Sequence, residues 1–422
     1  MATPLDDKTR AIVTACVPAL EAHGLAITTE MYKRLLADPA ISALFNSAHQ
    51  KNGTQPTALA LAVLAYARNI DNLGALGGMV ERIAEKHVGL NILPEHYPYV
   101  GRALLGAIAH VLGDAATPDI MDAWAKAYGF LADVLISRES QIYKAHADAP
   151  GGWEGWRSFT IRSRTQEGAC VTSYDLVPTD GKPVMAHKPG QYLSFSVTVP
   201  GHGNQRRNYS ISSAPNGQSY RISVRKADNG LVSGWLHDSA QAGTDLQVSA
   251  PAGSFTLPAP QPGHPSAPVV LLSAGVGLTP FIAMLETRAA AAAAASLGCP
   301  AGMGAPLQYI HGTHNPQTEA FGPLVRDLSA RGVVSADIFY THGSAEEAAS
   351  LSTTGTTAHT GRITPEWVRA NTPADALYYI CGPESFMQDM ISGLSAAGVP
   401  ADRLRHEVFG SATTLEDALH AA

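Results

Sequence analysis

The 422-residue sequence predicts a multidomain chain: an all-α segment, then an antiparallel β-barrel, then an α/β domain on a parallel sheet. Three observations carry this. Through the first 147 residues apolar side chains recur at three- and four-residue spacing, the period of a helix. From Phe159 the period drops to two and turn signals punctuate it, as in short paired strands. From Pro268 a continuous apolar run enters a glycine-rich turn and then a helix, the pattern of a buried parallel strand. A chain of this length carries a prior of about three domains.

Composition narrows the function. Apolar residues make up 45%, enough for each part to bury a core, and charged residues only 15% with a net charge of −7. No basic block stands out, so nucleic acid is not the expected partner. Cys16, Cys170, Cys299 and Cys381 are scattered without a C-x-x-C pair, which argues against a zinc site or a disulfide framework and for the reduced cytoplasm. The first residues have no basic and apolar leader pattern, so no signal peptide is expected. The Ala-rich run 289–295 is too short to cross a bilayer and reads as a helix extension, so no integral membrane segment is expected.

In the helical part, Ile12, Cys16 and Leu20 form one stripe, Leu59, Val63, Ala67 and Ile70 another, and Val80, Ile83, Ala84 and His87 a third. Tyr97, Val100, Leu104, Ile108 and Val111 follow, then Trp124, Tyr128, Leu131, Leu135, Glu139 and Ile142. Asp38-Pro39, Gln55-Pro56, Leu93-Pro94 and Thr117-Pro118 mark starts and breaks. Two polar residues sit on these apolar stripes. His87 reads either as a satisfied boundary histidine or as an axial haem ligand, since neutral imidazole is a common iron ligand. Glu139 reads either as a snorkelled carboxylate or as a buried one, and a buried one needs a Tyr or His partner.

Residues 148–156 contain Pro150, Gly151, Gly152 and Gly155 and read as a linker, docked by Trp153 and Trp156. Alternation then marks Phe159 and Ile161; Leu193, Phe195, Val197 and Val199; Tyr220, Ile222 and Val224; and Leu246 and Val248. Among these strands lies Arg207-Asn208-Tyr209-Ser210. Arg supplies a planar fork for phosphate, Tyr a flat face for an aromatic ring and Ser a reversible hydrogen bond. The three together suit a flavin nucleotide. Further on, Ala274-Gly275-Val276-Gly277-Leu278-Thr279-Pro280 follows the apolar run. Its glycines let a backbone approach a pyrophosphate at a helix N-terminus, and Pro280 fits a first helical turn. Leu307–Gly312 reads as a second strand and turn, and Ala376–Ile380 as a late strand before Cys381-Gly382-Pro383. The loop after Ile310 offers His311 and His314 but no Arg or Lys for a 2′-phosphate, so NADH is expected over NADPH, with NADPH still possible. The stretch 341–361 reads as a long polar loop without a motif.

These motifs resemble, in order, the three domains of the flavohaemoglobins. Met31-Tyr32-Lys33-Arg34, Leu44-Phe45-Asn46, Asn52-Gly53-Thr54-Gln55, Ala84-Glu85-Lys86-His87, Pro94-Glu95-His96-Tyr97 and Arg138–Tyr143 are similar to the globin domain of that family. The resemblance implies His87 as proximal haem ligand and iron-binding residue, with Phe45 packed on the haem. It implies Tyr32 and Gln55 on the distal side, Leu59 shaping that pocket, and Tyr97 and Glu139 in a hydrogen-bond network behind His87. Lys86 is implied to face the reductase half and, with Glu407, to tune the redox centres.

Residues of about 155–260 resemble the flavin barrel of the ferredoxin-reductase superfamily, with Pro189-Gly190-Gln191-Tyr192 preceding the Arg207 motif. That implies Arg207 on the FAD phosphates with Asn208 beside it, Tyr209 against the isoalloxazine, Ser210 near its reactive nitrogen and Tyr192 near the adenine. Gly230-Leu231-Val232-Ser233 is implied to give backbone N–H groups of Val232 and Ser233 to the pyrophosphate. Gly275, Val276, Gly277, Leu278, Thr279 and Pro280 are implied to hold NAD(P), with Cys381 bordering the nicotinamide. The ending Glu407-Val408-Phe409-Gly410 resembles the family's, placing Phe409 and its neighbours at the flavin; Ser411 stands where the family has proline.

The resemblance implies a globin domain over 1–147, a linker over 148–156, an FAD barrel over 157–262 and an NAD(P) domain over 266–422. It implies a cytoplasmic, monomeric nitric oxide dioxygenase that turns NO and O2 into nitrate. Electrons would pass from NAD(P)H through FAD to haem b. Two alternatives stand beside it: an oxygen or NO sensor or store with an attached haem reductase, and an alkyl or lipid hydroperoxide reductase.

Overall fold

The computed structural model describes residues 4–38, 41, 54–258, 267–296 and 306–409. It divides into two compact units, one built on the chain up to Trp156 together with Ser194–Arg207, the other on Arg157–Leu193 with Asn208–Phe409.

The first unit is helical: α1 Asp7–Ala15, α2 Val17–Leu36, α3 Thr54–Arg68, α4 Gly77–Gly89, α5 Tyr97–Leu112 and α6 Pro118–Asp148. Capping chemistry sets the starts. The Asp6 carboxylate accepts from the Thr9 N–H at 2.7 Å, and the Thr117 hydroxyl accepts from the Ile120 N–H at 3.4 Å ahead of Pro118. Pro94 opens a 3₁₀ turn and Pro56 lies in the first turn of α3, so both mark helix starts as the sequence predicts. The core gathers one stripe from each of α1, α2, α3, α5 and α6, including Val13, Ile27, Met31, Tyr66, Leu104, Ile108 and Trp124, while Ala84 and Val88 of α4 pack with Ile142 and Tyr143. Each such burial contributes about 1.5–3 kcal/mol.

The barrel strands are β1 Arg157–Gly168, β2 Val171–Pro178, β3 Tyr192–Val199, β4 Gly203–Ser210, β5 Tyr220–Arg225 and β6 Asp245–Val248, in the order β4-β3-β6-β1-β2-β5. β1 pairs antiparallel with β2 and β6, and β2 with β5. Ile211, the residue after β4, bridges Ile222 of β5, which brings the two ends of that order together. Helix α7, Leu231–Asp238, follows β5.

The rest is doubly wound. Strands β7 Val269–Ala274, β8 Leu307–Thr313, β9 Ser335–Tyr340, β10 Thr356–Thr360, β11 Leu377–Cys381 and β12 Leu404–Glu407 form an all-parallel sheet ordered β10-β9-β8-β7-β11-β12. Helices α8 Thr279–Ser296, α9 Gly322–Ala330, α10 Ala345–Leu351, α11 Pro365–Asn371 and α12 Glu384–Ala396 connect them. Leu271 and Leu272 are both fully buried on opposite faces, which is why β7 reads as an unbroken apolar run. The Ala-rich run extends α8, as expected.

The expectation of a long loop over 341–361 is corrected: that stretch holds α10 and the edge strand β10. Its start is a reciprocal cap, in which the Ser344 hydroxyl accepts from the Glu347 N–H at 3.1 Å and the Glu347 carboxylate accepts from the Ser344 N–H at 3.3 Å.

Candidate functional site

Three groups of residues carry chemistry. The first lies in the helical unit. α4 and α6 pack together, and at their crossing the Glu139 carboxylate, 2% exposed, meets the His87 ring. His87 Nδ1 lies 2.7 Å from Glu139 Oε1, and the Tyr97 hydroxyl donates to the same oxygen at 2.6 Å. Tyr97 Oη is also 3.1 Å from His87 Nδ1, so the three groups close a triangle. Burial first, then the bond to Glu139, pushes the Tyr97 phenol far above its ordinary range and keeps it a donor. Glu139 Oε2 is buried without a hydrogen-bond partner.

The scaffold around the triangle is tight. A Cβ on Gly101 would stand 2.7 Å from the Tyr128 ring, so only glycine lets α5 come that close to α6. The Tyr128 hydroxyl in turn donates to the Tyr97 carbonyl at 2.7 Å. Arg138, next to Glu139, grips Glu81 of α4 with two nitrogens, each at 2.6 Å. Sequence reasoning assigned Gly101, Tyr128, Glu81 and Arg138 no part here. Arg138 stood inside a quoted motif, but its partner lies 57 residues away in the chain.

Tyr32 packs at the edge of the main helical core with Leu59 and Val63, and burial raises its phenol to about 12. Lys86 is exposed on α4. Phe45 and the side chain of Gln55 lie outside the described residues.

These residues fit a haem. Because Glu139 takes His87 Nδ1, the ring's second nitrogen is the one left to ligate iron, and ligating imidazoles are oriented in this way. Leu59, Val63 and the other apolar residues of α3 between positions 57 and 65 are half-buried, an apolar wall suited to a large flat ring.

The second group sits on the barrel. β4 carries Arg207, the exposed Asn208, the half-buried Tyr209 and the buried Ser210. Tyr192 starts β3 and is buried. Gly230–Ser233 is not an open turn: Gly230 caps α7, and Leu231, Val232 and Ser233 form its first turn. The correction strengthens the chemistry, because first-turn N–H groups point outward unpaired along the helix axis. Gly230 lets the chain pass close there, since a Cβ would stand 2.9 Å from the Ala227 Cβ and 3.1 Å from the Ala227 carbonyl oxygen. At the end of β12, Val408 packs on the core while Phe409 is 44% exposed, an aromatic face open to a ring. Gly410 and Ser411 lie outside the described residues. An arginine on β4, a first-turn amide set and the exposed Phe409 ring fit FAD.

The third group is the switch point of the parallel sheet. Connections from β7 run one way to β8, β9 and β10, then return to β11 on its other side, and the crevice beyond such a reversal is where nucleotides bind. Gly275, Val276, Gly277 and Leu278 form a 3₁₀ turn, and Thr279 and Pro280 open α8. A Cβ on Gly277 would meet the Cys381 carbonyl oxygen at 2.2 Å, so the Gly275–Pro280 and Cys381–Pro383 turns touch backbone to backbone. Cys381 is fully buried, and burial raises its thiol well above the ordinary value. Its register partner on β12 is Glu407. Sequence reasoning missed the buried Ser273–His311 pair beside this turn, joined at 2.9 Å, because the periodicity of two separate strands does not report that their ends align.

Barrel and parallel sheet are tied together. Arg221 of β5 pairs with Glu286 of α8 at 2.7 Å, and the Tyr379 hydroxyl donates to the Thr256 carbonyl at 2.9 Å.

Such an arrangement defines an oxidoreductase class in which a helical haem-binding unit is fused to a flavin and nicotinamide module. Comparison with known proteins narrows it. A globin family model matches residues 29–135, and an oxidoreductase FAD-binding domain model matches residues 154–257. The chain is 44% identical over 412 residues to the flavohemoprotein of Xylella fastidiosa, covering 97% of this chain and 98% of that one. It is 45% identical over 414 residues to the flavohemoprotein of Deinococcus radiodurans, covering 96% and 97%. The structure of a Malassezia yamatoensis flavohemoglobin with bound FAD and heme aligns with a TM-score of 0.81 at 27% identity, covering 97% of this chain and all of that one. The FAD/NAD-binding domain of a Vibrio cholerae nitric oxide dioxygenase aligns with a TM-score of 0.50 at 33% identity over 61% of this chain. The chain belongs to the flavohemoprotein family.

Among the described residues no single helix is long and apolar enough to cross a membrane.

Proposed function

We propose that this flavohemoprotein is an NAD(P)H-dependent nitric oxide dioxygenase that turns NO and O2 into nitrate and removes NO under nitrosative stress. The observation that carries the proposal is the Glu139 carboxylate on His87 Nδ1, with Tyr97 on the same oxygen. An anionic acceptor makes the imidazole a stronger electron donor, which suits oxygen chemistry better than reversible storage. The likeness to the Vibrio cholerae nitric oxide dioxygenase domain supports the same reading for the reductase half.

When bound, haem supplies a one-electron iron centre and FAD converts the two-electron hydride donor into single electrons. The chain's own residues do the rest. His87 holds the iron, and Glu139 and Tyr97 hold His87. Tyr32 keeps its proton, with its phenol raised to about 12, and directs a hydrogen bond into the distal side together with Gln55. Leu59 shapes the distal pocket, and Phe45 is the residue assigned to pack on the haem. Arg207 and the first-turn amides of Val232 and Ser233 take the FAD phosphates; Tyr209, Ser210 and Phe409 address its ring, and Tyr192 its adenine. Gly277 lets the nicotinamide nucleotide approach the Cys381 turn. NADH is the preferred donor and NADPH a slower one, because the turn after β8 offers His314 and Asn315 but no Arg or Lys for a 2′-phosphate; His311, expected in that loop, is instead buried in β8 against Ser273. Lys86 and Glu407 tune the two redox centres. The assigned parts are globin 1–147, linker 148–156, FAD barrel 157–262 and NAD(P) domain 266–422, in a cytoplasmic monomer.

The test is anaerobic reduction by NADH, followed at the flavin and haem absorbance bands. The wild-type protein should reduce flavin and then haem. His87→Ala should lose haem yet reduce flavin at the wild-type rate. Haem retained at full occupancy in His87→Ala would remove His87 from this role.

A further inference from the structure

Arg206 stands one residue before the flavin-phosphate Arg207 on β4, and it has no place in that grip. Its guanidinium instead reaches the end of α4, where Nη1 donates to the Leu90 carbonyl. Leu90 is the C-cap of α4, three residues after His87. The plane of Arg206 lies over the Trp156 ring, with Cζ 5.3 Å from its centroid. Its Nε is buried without a hydrogen-bond partner, and among the described residues no carboxylate pairs with it. Burial lowers its pKa, with the Tyr143 hydroxyl opposing that shift. All of these groups belong to the first compact unit.

A half-buried cation with a buried Nε and no carboxylate needs other compensation. A helix C-terminus carries partial negative charge on its free carbonyls, and an indole face attracts a guanidinium. Both are present, and both lie next to the functional groups. The cap that Arg206 grips is a closed one: the Leu90 N–H donates to Lys86 at 3.1 Å, the Ile92 N–H donates back to His87 at 2.9 Å, and Asn91 turns through φ +54°. The Tyr143 hydroxyl fastens the next residue by donating to the Ile92 carbonyl at 2.8 Å.

We propose that Arg206 is a positioning residue for electron passage: a strut from the flavin strand β4 to the C-terminal cap of the haem-ligand helix α4, clamped by Trp156. The strut rests on the flavin-to-haem electron path given under Proposed function. It holds the part of β4 that ends at Arg207 to the helix that carries His87. Without it, flavin would still bind and accept hydride, but the geometry between donor strand and ligand helix would loosen. A misplacement of about 1 Å can cost up to ~100-fold in a positioned reaction.

The experiment is stopped-flow reduction of the FAD- and haem-loaded full chain by NADH under CO without O2, with flavin and haem bands followed separately, in wild type, Arg206→Ala and Arg206→Lys. Hydrogen exchange at the amides of Leu90, Asn91 and Ile92 is measured on the same samples. Arg206→Ala is expected to keep flavin reduction within about twofold, to slow haem reduction at least about tenfold, and to lose exchange protection at those amides. Arg206→Lys, which keeps a charge and a donor on a long stem, is expected to recover much of both.

Haem reduction and exchange unchanged in Arg206→Ala would overturn the proposal, and so would equal losses in Ala and Lys. If Arg206→Ala does not fold, Arg206→Met carries the same test, because it fills the space over Trp156 without a donor for the Leu90 carbonyl: slowed haem reduction with lost protection supports the strut, and both unchanged overturn it. If wild-type flavin is reduced but haem does not follow, the electron path itself fails. The exchange data then decide the strut alone: lost protection in Arg206→Ala supports it, and unchanged protection overturns it.

Discussion

At the scale of the residue, function rests on where polar groups sit against an apolar background. His87 and Glu139 lie on apolar helical stripes, and periodicity alone left each with two readings. The reason is that the bond between them spans 52 residues, a distance no local pattern reports. Family motifs pointed to both, and the structure brings them to 2.7 Å. Replacing Glu139 with Gln keeps the shape and removes the anion, so activity should fall about 10–100-fold with haem retained, as measured by NO consumption on loaded protein. Tyr32→Phe removes the distal donor, and O2 should then dissociate roughly tenfold faster in flash photolysis, the cost of about one hydrogen bond. An unchanged off-rate would strip Tyr32 of that part.

Two buried histidines predict a pH dependence at the same scale. Burial lowers His187 and His311 to about 4, against an unfolded value near 6.5. Between those values the unfolded chain binds more protons than the folded one. The stability these neutral rings contribute is therefore present above about 6.5 and is lost as the pH falls towards 4. Urea midpoints should fall steadily over that window, and His311→Asn with His187→Gln should flatten the fall.

At the scale of the element, turns and caps decide what the strands and helices can hold. The G-x-G-x-T-P turn was legible in sequence, because glycine before a proline-opened helix has few other meanings. What it touches was not: the contact of Gly277 with the Cys381 turn depends on β7 and β11 being neighbours although the paired residues Val269 and Leu377 lie far apart in the chain. Gly277→Ala would force those backbones apart, and flavin reduction by NADH should slow at least about tenfold while FAD and haem contents hold. Stopped-flow rates at saturating NADH check this. The stretch 341–361 was misread as a loop for a different reason. α10 has seven residues, too few for a periodic stripe, and its one readable mark was the Ser344-x-x-Glu347 cap. The Gly230–Ser233 segment was read as a turn because an eight-residue helix also shows little period. Its chemistry, a set of free N–H groups, was nevertheless the one expected.

At the scale of the whole molecule, the order of the three patterns was the most readable feature, since the switch from period 3.6 to period two to a continuous apolar strand survives without any contact information. The fine division was less so. Compact packing places Ser194–Arg207 with the helical unit although it contains strands of the barrel sheet, and Arg206 on the Leu90 carbonyl shows one contact behind that grouping. The Arg221–Glu286 pair performs the matching task on the reductase side, between barrel and parallel sheet.

The central claim is that electrons drawn from NADH leave the protein as nitrate. The most direct test is NADH oxidation by the haem- and FAD-loaded protein under air, with and without NO, with nitrate counted. The expected result is NO-dependent NADH loss with one nitrate formed for each electron NADH supplies, abolished in His87→Ala. If NADH still reduces the flavin but NO changes neither its consumption nor the nitrate count, the globin half is a sensor or store beside a flavin reductase, and the dioxygenase reading is wrong.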